Sequence, residues 1–151
     1  MSRSDASLTL LVVDDNEAFL ASLVRWVEQH RGIELGGIAR SAEQAFDLLD
    51  QRAFDLVLVE ARLGGGGGFE IVKRIKDRSR GARIAIMTLF GSRLAELEAR
   101  RAGADAFFAK EDLAVELEGA IQMMEISNGE VSKHINAEAR RIGHDSAREK
   151  E

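Results

Sequence analysis

Five side chains stand out by type and spacing: Asp14, Asp15, Glu60, Thr88 and Lys110. Each closes a short apolar run. Asp14 and Asp15 end "LTLLVVDD", Glu60 ends "FDLVLVE", Thr88 ends "ARIAIMT" and Lys110 ends "DAFFAK". Three carboxylates are the oxygen ligands that a hard cation such as Mg2+ takes. A hydroxyl and an ammonium supply hydrogen bonds to oxygen anions. Taken singly, each has a plainer reading: Asp15 is a good helix cap, Thr88 a strand terminus, Glu60 and Lys110 surface charges. Only a fold that gathers them makes a site.

The elements between them have that capacity. The apolar runs read as strands buried on both faces. After the first, Leu20, Leu23, Val24 and Val27 recur at helical spacing and predict a helix from about Asn16 to His30. "IELGGIAR" is a second, weaker strand. Ser41 with Gln44 fits a capping box, and Ala45, Leu48 and Leu49 form one face of a second helix. Phe69, Val72 and Ile75 open a third helix, and "SRLAELEARRAG" is a fourth, closed by Gly103. Asp112 is expected to cap a fifth, with Leu113, Leu117, Ile121 and Met124 on one face. Five strand–helix units demand right-handed crossovers and a parallel sheet with helices on both faces. Ligands of such sheets bind outside the carboxyl ends of the strands, where all five side chains are expected.

Bulk properties narrow the classes. The 151 residues suffice for one domain with a good core. A net charge of −5 gives no basic footprint for nucleic acid. No apolar stretch approaches the roughly 18 residues of a membrane helix, and the N-terminal run lacks a secretory cleavage pattern. There is no cysteine, which removes disulfides and thiolate metal sites. Cytoplasm is the expected compartment. From Ile126 the chain turns polar and mixed in charge, so residues 1–125 are read as one domain and 126–151 as an extension. Val131, Ile135, Ala139 and Ile142 recur there at helical spacing. A helix that docks or seeks a partner and a solvated tail both fit that pattern. His30, His134 and His144 share no metal-ligand spacing.

The acid pair, "DLVLVEARLGGGGGFE", Thr88, "AGADAFFAK" and the order of units together resemble a response-regulator receiver domain of two-component signalling, over about residues 8 to 125. The resemblance implies a flavodoxin-like five-stranded parallel sheet of neighbour order 2-1-3-4-5. It implies that strand three ends in a phosphoryl-accepting aspartate. It assigns Asp14 and Asp15, the acceptor position and the backbone carbonyl of Arg62 to a magnesium ion, and Thr88 and Lys110 to the phosphoryl oxygens. Phe107 matches an aromatic that turns inward on switching. A cation and an ammonium are needed there because charge must be neutralised as the phosphoryl group moves.

The chain departs from that pattern at the acceptor, which is Glu60. One extra methylene shifts the carboxylate by about 1–1.5 Å, and a displacement of about 1 Å can cost about a hundredfold where catalysis works by positioning. Leu89 follows Thr88 where a small residue is usual and is expected to narrow the pocket mouth. Glu111 follows Lys110 where many receivers carry a cis-proline, so a trans link is expected. Five glycines, Gly64 to Gly68, replace a loop that usually contains proline; they match neither phosphate-binding glycine motif and read as a flexible loop. The expectation is a binding module, not an enzyme, with phosphotransfer lost or weakened and Glu60 reaching Lys110. Without a metal the three acids repel, and one should hold its proton more tightly unless Lys110 neutralises them. Magnesium remains open on these grounds. The partner is expected to be a signalling protein that meets residues from about Ser92 to Met124, with a homodimer as a further expectation. Two other readings stand: a conventional phosphoacceptor receiver, alone or cut from a DNA-binding regulator, and a pseudo-receiver that binds a small ligand.

Overall fold

A computed structural model describes residues 7–65, 67–78 and 81–127. Five strands, β1 (Leu8–Val13), β2 (Ile33–Ala39), β3 (Leu56–Glu60), β4 (Arg83–Thr88) and β5 (Ala106–Ala109), alternate with five helices. The helices are α1 (Glu17–Glu28), α2 (Ala42–Gln51), α3 (Gly68–Arg78), α4 (Arg93–Ala102) and α5 (Leu113–Ser127). The sheet order is β2-β1-β3-β4-β5, and every pairing is parallel.

The apolar runs form strands because both faces are covered. On one face Leu11, Val13, Val57, Val59, Ile84 and Ile86 meet α2, α3 and α4 through Phe46, Val72, Ile75 and Ala99. On the other, Leu10, Val12, Leu58 and Met87 meet α1 and α5 through Leu20, Leu23, Leu117 and Ile121. Side chains alternate across each strand, so one short run feeds two cores. At the amino ends two aspartates tie strands together. Asp55 accepts from the Thr9 N–H at 2.8 Å, and Asp105 from the Ile84 N–H at 2.8 Å.

Three details differ from the sequence reading. Asn16, not Asp15, caps α1, its side chain accepting from the Phe19 N–H at 2.9 Å; Asp14 has already turned the chain by accepting from the Asn16 N–H at 2.9 Å. Asp112 does not begin α5 directly, because it closes a 3-10 turn over Lys110–Asp112. The expected change of character at Ile126 falls inside α5, which continues to Ser127. The stripe from Val131 to Ile142 lies outside the described residues. Elsewhere the signals hold. Ser41 caps α2, and Gln44 reaches back to the Arg40 N–H at 2.7 Å. Gly103 ends α4 at φ 102°, in the left-handed region that glycine adopts without a Cβ clash.

Candidate functional site

The carboxyl edge of the sheet carries a cavity of about 380 Å3, lined by Asp14, Glu60, Arg62, Thr88, Leu89 and Lys110 among others. Asp14 hangs from the end of β1, where its own N–H bonds the Ala39 carbonyl at 2.9 Å. Its side chain is fully buried, while Asp15 beside it is exposed at the rim. Glu60 is the last residue of β3, and its side chain is 8% exposed. One oxygen, Oε2, accepts from the Arg62 N–H at 2.9 Å, which folds the carboxylate back over the turn. Lys110 enters from the end of β5 with its side chain 6% exposed.

The Lys110 Nζ stands 2.7 Å from Asp14 Oδ2 and 2.7 Å from Glu60 Oε1. It also lies 4.2 Å from the centroid of the Phe19 ring, over its face, a cation–π contact. Burial works to lower the Lys110 pKa, and the two carboxylates beside it more than offset that, so the ammonium is held above the ordinary lysine range. Lys110 thereby supplies the positive charge that two buried acids need. Among the described residues Asp14 Oδ2 has no aligned hydrogen-bond donor, so proximity of charge, not a directed bond, holds that oxygen.

Thr88 is buried at the end of β4, and its hydroxyl donates a long bond, 3.5 Å, to the Phe90 carbonyl. Leu89 lines the cavity yet is 60% exposed, so it borders the mouth without sealing it. Phe107 is half-buried on β5, packed on the α2–α4 side of the core with its ring against Gly91. No cis peptide occurs among the described residues, so Lys110–Glu111 is trans as expected.

A response-regulator receiver family model matches residues 10–122. The chain belongs to the response-regulator receiver family. This receiver is 32% identical over 102 residues to the photosynthetic apparatus regulatory protein RegA of Rhodobacter capsulatus, covering 68% of this chain and 54% of RegA. A two-component response regulator of the LuxR family from Aurantimonas sp. SI85-9A1 superposes with a TM-score of 0.69 at 25% identity, covering 77% of this chain and 86% of that one. A CheY-like receiver from Methanospirillum hungatei JF-1 shares the fold, with a TM-score of 0.64 at 24% identity over 80% of this chain and 98% of that one. The receiver spans about half the length of the curated relatives it matches.

Within the receiver Asp14, Asp15, Glu60 and Arg62, the four expected metal positions, all line this one cavity. Asp15 is exposed, and the Arg62 carbonyl accepts from the Gly65 N–H at 3.0 Å. Asp14 Oδ2 and Glu60 Oε1 both face the Lys110 ammonium, and their other oxygens hold backbone N–H groups. Among the described residues no group of three or more acids or histidines is placed to hold a metal ion. The residues as arranged therefore do not fit a magnesium shell, and Lys110 stands where the cation's charge would be required.

The glycine loop is not uniformly loose. Gly64 and Gly65 take φ of 58° and 90°, with no atom of the described residues within 4 Å of where a Cβ would point. At Gly68 a Cβ would collide with the Glu60 carbonyl and come within 2.9 Å of the Ala61 Cα. That glycine lets α3 begin directly against the end of β3, and so fixes the backbone that carries Glu60.

Sequence reasoning missed Phe19, Asn16 and Phe90 at this site. Phe19 was legible in part: it is the third residue past the cap of α1, the helix that must pass the pocket. Phe90, 87% exposed, carried no periodic signal.

Proposed function

We propose that this receiver is a binding module that signals by non-covalent protein contact, with the pocket's charge balanced from within by Lys110. The observation that carries this reading is the single ammonium at 2.7 Å from both Asp14 and Glu60. An acceptor must present a free carboxylate oxygen to a phosphorus centre, and a phosphoryl group needs the lysine for itself. Here Glu60 spends one oxygen on Lys110 and the other on the Arg62 N–H. The extra methylene of glutamate lets it span to the lysine, in partial imitation of a phosphorylated acid. The imitation carries one charge and two oxygens, against about −1.5 to −2 and three acceptor oxygens for a phosphoryl group.

The contact surface in this reading runs from Ser92 to Met124, where Leu94 and Leu97 of α4 and Val115 of α5 are exposed. A second reading, phosphorylation on Glu60, Asp14 or Asp15, draws on the unsealed mouth, which leaves small phosphodonors room to enter. Partner capture from the native host separates the two. Wild type, Glu60→Gln and Glu60→Asp are each presented with and without acetyl phosphate and Mg2+. The first reading expects wild type to retain the same partner whether or not the donor is present. A partner set for wild type that changes with the donor overturns it.

A further inference from the structure

A second cavity, about 600 Å3, opens at the amino edge of the sheet between the strands and α5. Its walls are largely apolar: Leu8, Leu56, Ala85, Phe108, Leu117 and Ala120. Two features mark it as a seat for another piece of backbone. Gly119 lies inside α5 and lines the cavity, with no atom of the described residues within 4 Å of where its Cβ would be. Glycine inside a helix costs about 1 kcal/mol relative to alanine, and its use is close approach of a neighbouring chain. The lining also takes eight residues of α5 between Val115 and Met124, a span of about 14 Å of helix at 1.5 Å per residue.

We propose that residues 131–142 of this same chain occupy that groove, turning back along α5 from Ser127. Val131, Ile135, Ala139 and Ile142 make one stripe at helical spacing, about 16 Å long at 1.5 Å per residue, which matches the groove. Asn128-Gly129, just past the last residue of α5, is a turn signal. Glu138 borders the stripe, and Arg83 stands exposed on the groove's rim. A second copy could offer the same stripe, but the connection in cis is only residues 128–130. A linker that short gives an effective concentration in the millimolar range, far above that of free protein. Docking there would couple the segment to α5, and so to the surface proposed for partner contact, without involving the charged pocket.

The chain has no cysteine, so disulfide trapping reads the contact directly. The full chain carrying Val115→Cys with Ile142→Cys is oxidised and run without reductant, beside each single variant. The expected result is a monomeric cross-linked species in the double variant. A dimeric cross-link, or none, overturns the proposal. Amide exchange provides an arm that does not depend on cysteine geometry. Ile135→Asp with Ile142→Asp should speed exchange of residues 115–123 at least tenfold while β1 and β3 stay unchanged, which shows that the fold is intact. Exchange of α5 that is identical in wild type and variant overturns the proposal equally.

Discussion

The two ends of this sheet use acids in opposite ways. At the amino end, Asp55 and Asp105 each accept a backbone N–H from a neighbouring strand and help to fix register; Asp105 also meets Lys76 at 3.3 Å, partly in solvent. At the carboxyl end, Asp14 and Glu60 are buried with one ammonium between them. The first pair are half-wet hinges of the scaffold. The second pair depend on a charge that arrives from the far side of β3 and β4. A buried ion triad adds little net stability for the desolvation it costs, whereas losing one member is expensive. The amino end should therefore tolerate loss of a carboxylate far better than the carboxyl end tolerates loss of its lysine.

Lys110→Met tests the contrast most severely. It leaves two buried carboxylates without a counter-charge and should cost about 3–5 kcal/mol in urea unfolding. Adding Asp14→Asn and Glu60→Gln to that variant should recover most of the loss, because the uncompensated charges go with it. Gly68→Ala should be next, at about 1–3 kcal/mol, since the new methyl meets backbone that has no flexible end to yield. Asp105→Ala should cost about 1–2 kcal/mol, the expense of leaving the Ile84 N–H without its acceptor. An Asp105→Ala loss equal to that of Lys110→Met would erase the distinction between the two ends.

The mildest perturbation is pH. Lys110 binds its proton more tightly folded than unfolded. Its contribution is fully present below the unfolded value of about 10.4 and fades as pH rises through the raised folded value. Unfolding midpoints followed from pH 7 to 11 should show a decline confined to the alkaline end. Lys110→Met should lack that decline.

How much of this was written in the sequence depends on what kind of signal each residue carried. The strands, the helices and the covering of both sheet faces followed from runs and spacings, because strands covered on two faces must be continuously apolar; the neighbour order came only with the resemblance to receivers. The five pocket positions followed from their places at strand ends. Local competition was harder to read. Asp15 and Asn16 are adjacent and both cap helices well; the turn set by Asp14 gives the cap to Asn16 and leaves Asp15 exposed at the rim of the pocket. The five glycines look alike in sequence, yet Gly64 and Gly65 serve a left-handed turn while Gly68 serves a close approach. Gly36 sits at a bulge of β2, where the register passes from Leu10 opposite Leu35 to Leu11 opposite Gly37, and a Cβ there would press on Thr9 and Phe54. Such contacts join residues distant in the chain, and no local pattern announces them.

The proposal that Lys110 is already committed to Asp14 and Glu60 meets its most direct test in intact mass. Wild type and Glu60→Asp are incubated side by side with acetyl phosphate and Mg2+. The account predicts no gain of one phosphoryl mass on the wild type, whatever Glu60→Asp does. A stoichiometric gain on the wild type, mapped to Glu60, would contradict it.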